Sequence, residues 1–222
     1  IRGFSVASRN ASNAISVVAT AEGTLNEVTS LITRMRELAV QAASGDLGTA
    51  ERGNLNTEFR ALLSEIDRMV NATKFNGASL FSTGATVTTS FQIGINQLDS
   101  LAVDVAAADV SALAGGTLTS VSKIDTAASA AGLLTAIDNA ISGVTTNRGA
   151  LGAAQNRLES IVRNLAVTIE TSSAANSRIR DVDVAEEPAT YTKNQILVQA
   201  GVSVLAQANQ APQIALSLLG GR

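Results

Sequence analysis

Small and apolar residues recur along the first forty residues at alternating steps of three and four. The series runs without a break over about five heptads: Phe4, Ala7, Ala11, Ala14, Val18, Ala21, Leu25, Val28, Ile32, Met35, Ala39 and Ala42. This pattern predicts one long helix, about 60 Å in length at 1.5 Å per residue, that packs along its whole length. Gly45 follows the seam and is a suitable C-terminal cap.

The pattern then changes twice. A second seam predicts a helix that folds back antiparallel on the first: Leu55, Phe59, Leu62, Ile66, Met69 and Thr73. Asn76-Gly77 is a turn signal, and apolar residues alternate with polar ones in the next stretch, which predicts one or two hairpins: Val87, Thr89, Phe91, Ile93, Ile95, Leu101, Val103 and Val105.

A third long helix is predicted to begin at Asp125 or Thr126, either of which can cap it. Its seam extends from Leu134 to Ile179, with polar residues such as Arg148 and Gln155 that can fix the register between helices. Three glycines weaken the middle of this helix and predict a bend or a later start: Gly143, Gly149 and Gly152.

The last helix differs from the others in composition. Asp183 to Glu186 resembles a capping box, and Pro188 falls in the first turn. From Asn194 to Gly221 there is no charged residue, and apolar side chains are expected around the whole circumference, so the helix needs burial on all sides. If other copies of the chain provide this burial, the residues expected to carry the self-assembly are Ile196, Leu197, Val204, Leu205, Leu216 and Leu218.

Such a helix could be buried in one of three environments: a lipid bilayer, the interior of its own chain, or an interface with other copies of the chain. Frequent Gln and Asn, together with Pro212, interrupt any apolar run of membrane-spanning length, which argues against insertion in a membrane. The preceding helices are expected to satisfy one another's seams. Burial against other copies of the chain therefore remains the best interpretation.

Composition excludes most chemistry. The chain has no Cys and no His, a formal charge of −3 and few lysines, so thiolate or imidazole catalysis, the usual zinc and haem ligands, and a basic surface for nucleic acid are all missing. Asp99, Asp104 and Asp109 lack the spacing of a calcium loop and are interpreted as a solvated strand face. No metal, cofactor or enzymatic activity is predicted.

Four long segments resemble bacterial flagellin: ASRNASNAISVVATAEGTLNEVTSLITRMRELAVQAA at 7–43, EIDRMVNATKFNG at 65–77, LGAAQNRLESIVRNL at 151–165 and NQILVQAGVSVLAQANQAPQIALSLL at 194–219. The resemblance implies a mainly α fold: an antiparallel rod of three long helices with a small β-hairpin region and a C-terminal coiled-coil helix. It implies a rod domain over 1–182, with a minimal variable insert at about 76–125, and an inner-tube helix over 183–222.

Flagellins begin some tens of residues before the position of Ile1, so the extreme N-terminal segment is expected to be missing here. The resemblance implies that a chain without this segment does not polymerise normally.

The same resemblance implies a function. Flagellins are non-enzymatic subunits that polymerise into the extracellular flagellar filament for motility, after export with a dedicated chaperone and growth under a cap. The alternative from another class is a signalling rod such as a chemoreceptor-type hairpin, which is also rich in Ala and built on heptads. Neither the strand-forming stretch nor the amide-rich C-terminal helix favours that alternative.

A receptor site is implied as well. Arg34, Leu38, Gln41 and Glu58 match positions of the surface that the flagellin-sensing Toll-like receptor of animals recognises. A purely structural interpretation stays open for the same residues. In it, Leu38 packs beside the first seam, and Arg34 and Glu58 form a surface pair between two helices.

Overall fold

The computed structural model describes residues 1–119, 122–181 and 186–221, and of residues 210–219 it describes the backbone alone. The elements in chain order are α1 Arg2–Ala43, α2 Thr49–Ala72, β1 Lys74–Phe75, β2 Ala78–Ser79, β3 Val87–Gln92, β4 Ser100–Val105, α3 Val110–Leu113, α4 Ala127–Arg180 and α5 Glu186–Leu219. The prediction of a mainly α chain, with three long helices, a small β region and a further C-terminal helix, is confirmed.

The chain divides into two compact units, unit 1 (Ile1–Glu170) and unit 2 (Thr171–Arg222). The boundary between these two units lies inside α4. The physical reason is burial: the last buried residue of α4 is Leu165, and no later residue of this helix is part of the core.

The first seam forms the spine of the unit 1 core. Every seam residue from Ala7 to Ala42 is buried, and only Phe4 is half-buried. The expected cap at Gly45 is wrong, because α1 ends at Ala43 and its C-cap residue is Ser44, which has an extended backbone. The carbonyl groups at this end are satisfied by Arg52 of α2, whose Nε donates to Ala42 O at 2.9 Å and whose Nη2 donates to Ser44 O at 2.6 Å.

Helix α2 runs antiparallel to α1, as expected, but its buried face is rotated from the predicted one. The buried residues are Phe59, Leu63, Ile66 and Val70, whereas Leu62 and Met69 of the predicted seam are half-buried. The rotation arises because α2 packs on two partners: Met69 borders a hollow beside α1, and Leu63 borders one beside α3. A heptad seam assumes that the helix packs on one partner, so it does not identify the residues of α2 that pack on a second one.

Two antiparallel strand pairs follow α2, which confirms the predicted hairpins. Asn76 and Gly77 join β1 to β2 with φ of 49° and 83°, the positive values that a type I′ turn requires. In the second pair Val87 lies opposite Val105 and Gln92 opposite Ser100. One face of β4 is buried: Leu101, Val103 and Val105.

The segment after β4 corrects one prediction. Asp109 is not on a solvated strand face but is 4% exposed. Its carboxylate caps α3 by accepting from Ala112 N at 3.2 Å, and it also accepts from Gly84 N at 2.9 Å. Asp109 therefore fastens the loop before β3 to the start of α3. Asp104 is exposed and accepts from Thr88 Oγ1 at 2.6 Å, as a solvated strand residue would.

Helix α4 begins as predicted, with Thr126 Oγ1 accepting from Ser129 N at 3.1 Å. It is continuous from Ala127 to Arg180, so the expected later start near the glycines is wrong. Within unit 1 it runs antiparallel to α1, since Arg36 Nε lies 2.7 Å from Asp138 Oδ1 and Glu22 Oε1 lies 3.7 Å from Arg148 Nη2. Packing on α1 outweighs the cost of about 1 kcal/mol that each glycine adds in a helix.

Unit 2 consists of the end of α4 and the helix α5. Pro188 lies in the first turn of α5, as predicted, where its missing N–H costs no helical hydrogen bond. The predicted capping residue Asp183 lies outside the described residues. Of the helices that the structure describes, none is both long enough and apolar enough to cross a membrane.

Candidate assembly and recognition surfaces

Helix α5 exposes aliphatic side chains that a compact protein would bury. The side chains involved form what we call the assembly surface: Ile196, Leu197, Val198, Val202, Val204 and Leu205. Each is about 60% exposed; Leu205, for example, is 64% exposed. Four of the six predicted self-assembly residues, Ile196, Leu197, Val204 and Leu205, thus lie together on one exposed surface. Leu216 and Leu218 are in α5, but their side chains lie outside the described residues.

The circumference of α5 is less uniform than the sequence pattern indicated. Gln195, Gln199, Ser203 and Gln207 follow one another at steps of four and are all exposed. At 3.6 residues per turn these four form one slowly winding polar stripe. Val204 follows Gln195 by nine residues, which places it on the opposite side of the helix. Helix α5 therefore has an uncharged polar stripe and a wider apolar surface.

A second surface lies on unit 1, where α1 and α2 run side by side. Arg34 of α1 donates from Nε to Glu58 Oε1 of α2 at 3.0 Å and from Nη1 to Glu37 Oε2 at 2.9 Å. The hydrogen bonds with Glu37 and then with Glu58 raise the pKa of Arg34. All three side chains are about half exposed, so their charges remain available to a partner. We call these three residues and Gln41 the α1–α2 surface.

The four predicted receptor residues divide between surface and core. Arg34, Glu58 and Gln41 are exposed. Leu38 is only 1% exposed and belongs to the buried core, which is the structural interpretation that the sequence had left open. Glu37 was missed, although its position three residues after Arg34 on the same helix is the spacing of a typical ion pair.

Acidic side chains are the remaining candidates for metal ligands, because the chain has no Cys and no His. Over residues 1–119, 122–181 and 186–221 there is no cluster of three acidic side chains that could hold a metal ion. Asp67 and Asp109 approach each other beside a hollow of about 390 Å³. Asp109, however, is already committed to Gly84, Ser111 and Ala112 as their hydrogen-bond acceptor.

The fold and the two surfaces define a class: a helical structural protein that leaves one long apolar helix uncovered in the single chain. Known proteins agree with this class. The family description "Bacterial flagellin N-terminal helical region" matches residues 1–86, and "Bacterial flagellin C-terminal helical region" matches residues 134–219. The residues between these two matches are 87–133.

Individual relatives give the same result. The flagellin of Halalkalibacterium halodurans is 42% identical over 219 residues, which cover 99% of this chain and 79% of that protein. The flagellar filament 33 kDa core protein of Treponema phagedenis is 43% identical over 230 residues, covering 99% and 80%. The crystal structure of Bacillus cereus flagellin is 29% identical, covers 71% of this chain and 88% of that chain, and superposes with a TM-score of 0.60.

The chain belongs to the bacterial flagellin family. This is a family of structural proteins that polymerise with other flagellin subunits into the flagellar filament, which is extracellular. Membership in it replaces the alternative of a chemoreceptor-type signalling rod.

Proposed function

We propose that this chain is a subunit of a bacterial flagellar filament that serves motility, and that α5 is the helix lining the inner tube. The observation that carries the proposal is the assembly surface, whose aliphatic side chains are all exposed in the single chain. Burying one such side chain is worth about 1.5–3 kcal/mol, so six of them provide a strong drive towards association. In a homopolymer every subunit supplies both the surface and its cover.

The polar stripe supports the same role. A helix in the wall of a hollow tube has neighbours on most of its circumference and water on the side that faces the hollow. The apolar surface suits the neighbours, and the uncharged amides of Gln195, Gln199 and Gln207 suit the wet side. Ser203 continues the stripe between Gln199 and Gln207.

The test compares two substitutions on opposite sides of α5 in the full-length protein. Val204→Lys places a charge within the assembly surface, where burial against other copies would have to desolvate it. Gln195→Lys makes the matched change on the polar stripe. We expect Val204→Lys to abolish filaments seen by electron microscopy after seeding, while Gln195→Lys still forms tubes. Circular dichroism of both monomers checks that the helices are intact.

Two results would contradict this proposal. One is a full-length protein that stays monomeric under every polymerising condition. The other is a Val204→Lys variant that forms filaments as readily as Gln195→Lys, since the assembly surface would then lie outside the subunit contacts.

Export, chaperone and cap belong to the same proposal. An uncovered aliphatic helix favours aggregation of the newly made chain, and a chaperone that covers α5 until secretion prevents it. Growth of the filament under a cap then supplies the subunits that bury the helix. The filament itself lies outside the cell.

We also propose that the α1–α2 surface is recognised by the flagellin-sensing Toll-like receptor of animals. Arg34, Glu58 and Gln41 are exposed, and Arg34 donates to two carboxylates, one on α1 and one on α2. Arginine with hydrogen-bonded carboxylates is a typical anchor of protein interfaces. Leu38, on the same helix as Arg34 and Gln41, is buried in the core.

A cell reporter assay with purified monomer tests this second role. We expect Arg34→Ala to lower the response by about tenfold or more, as loss of an interface anchor does. Arg60→Ala removes another exposed arginine, on α2, and we expect it to leave the response unchanged. A monomer that elicits no response, or an Arg34→Ala protein as active as the unmodified one, would remove the receptor from the proposal.

A further inference from the structure

Strand β3 has one open edge. It pairs with β4 alone among the described strands. Ile93 N donates to Asp99 O at 2.9 Å, which marks this pair as a hydrogen-bonded one. Hydrogen-bonded pairs alternate in an antiparallel ladder, so the main-chain groups of Thr89 and Phe91 point to β4 and those of Thr88 and Ser90 point away.

The sequence of this strand lacks the residues that usually prevent further pairing at an edge. Residues 87–92 have the sequence VTTSFQ, without a charge, a proline or a glycine. Gln92 O accepts from Asn10 Nδ2 of α1 at 3.0 Å, so α1 occupies the edge at that point. The main-chain N–H and C=O groups of Thr88 and Ser90 have no partner in the described part of the chain.

A groove lies beside the open edge. Its volume is about 430 Å³, which is within the usual range of binding sites. Val17, Phe75 and Phe91 provide an apolar lining, and Asn13 and Ser79 contribute polar groups. Among the residues that the structure describes, no charged side chain lines the groove. Residues of helix α1 and of the β1–β2 hairpin border it on the sides away from β3.

We propose that this groove binds an extended, uncharged segment of a partner polypeptide, which adds to β3 as a third strand. The N–H and C=O groups of Thr88 and Ser90 repeat at about 6.8 Å, the two-residue spacing of a β-strand, and match the main chain of such a segment. Every second side chain of the segment then faces Phe75 and Phe91. The uncharged lining excludes a charged side chain at those positions, because burial would leave it without a counter-charge.

The test uses the soluble full chain and a synthetic peptide. The probe is an acetylated and amidated Val-Thr-Val-Thr-Val-Thr peptide, and the control is the same peptide with alternate amides N-methylated. We expect the probe to shift the amide signals of Thr88 and Ser90 in NMR spectra and to slow their hydrogen exchange. The N-methylated peptide, which cannot donate along one edge, should have no effect.

Two variants separate edge pairing from nonspecific adsorption. Ser90→Pro removes the outward N–H, a change that edge strands tolerate, and we expect it to weaken binding by about tenfold. Ser90→Ala keeps the N–H and should bind as the unmodified chain does. Equal binding by Ser90→Pro, equal binding of the N-methylated peptide, or no shift at Thr88 and Ser90 would overturn the proposal. Because the assay needs no filament, its result is independent of polymerisation.

Discussion

At the scale of single residues, Asp67 is placed at an energetic cost. Partial burial raises the pKa of its carboxyl, the negative charge of Asp109 raises it further, and the Val110 N–H, which donates to Asp67, opposes the rise. A carboxyl whose pKa is higher in the folded chain than in the unfolded one favours unfolding whenever it is ionised. This penalty is complete at neutral pH. It disappears as the pH falls from the folded pKa to the unfolded value of 3.8.

Replacing Asp67 with Asn should remove this penalty. An amide oxygen can still accept from Val110 N, but it carries no charge towards Asp109. We expect Asp67→Asn to be more stable than the unmodified chain at pH 7 and to lose that advantage below pH 3.8, as measured by urea unfolding at several pH values. An Asp104→Asn control, at an exposed strand position, should show no such gain. A gain that grows as the pH falls would contradict the assignment.

Asp109 shows why some residues could not be placed from the sequence. Asp109 follows Asp104 of β4 by five residues, and nothing in the sequence between them marks the end of β4 at Val105. The carboxylate is buried because it caps a helix of only four residues, Val110–Leu113, too short to give a periodic signal. The one available sign was a capping residue followed by Val-Ser-Ala-Leu.

At the scale of elements, the long seams were predicted well where a helix packs on one side throughout. In α1 the alternation of three and four coincides with burial from Ala7 to Ala42, since a heptad seam describes one continuous contact. In α2 the same reasoning selected Leu62 and Met69 instead of Leu63 and Val70, because this helix divides its apolar residues between two neighbours. Leu38, a predicted receptor position beside the first seam, is buried in the core.

The rotated face of α2 makes a quantitative prediction. Leu63 is 2% exposed, so Leu63→Ala creates a cavity and should lower the free energy of unfolding by about 2–5 kcal/mol. Leu62→Ala makes the same chemical change at a half-buried position and should cost clearly less. Urea denaturation of the two variants measures the difference. Equal losses, or a larger loss for Leu62→Ala, would restore the face that the sequence predicted.

At the scale of the whole molecule, the two units differ in how they are stabilised. Unit 1 has a continuous core of aliphatic and alanine side chains from α1, α2, the strands and α4. Unit 2 has no buried residue among those whose side chains the structure describes. A helix without buried contacts opens locally at little cost, whereas core helices open only with global unfolding.

Hydrogen exchange should therefore separate the units. In the monomer we expect the amides of α5 before residue 210 to exchange far faster than those of α1, as followed by mass spectrometry of peptic fragments. In assembled filaments the α5 amides should become protected to a similar degree as α1. The α1 fragments provide the internal control. Slow exchange of α5 already in the monomer would show that the helix is sheltered within one chain, against the proposed assembly role.

There is no ionisable side chain between Asn194 and Gly221, and this determines how the proposed contacts of α5 between subunits respond to salt and pH. Contacts made only by aliphatic and amide groups are neither weakened by counterions nor altered by titration, since mobile salt screens charges and leaves apolar burial in place. The ion pairs that join the helices of unit 1 are exposed to both effects. A fibre held together through α5 thus keeps its cohesion from fresh water to brine and through shifts in acidity.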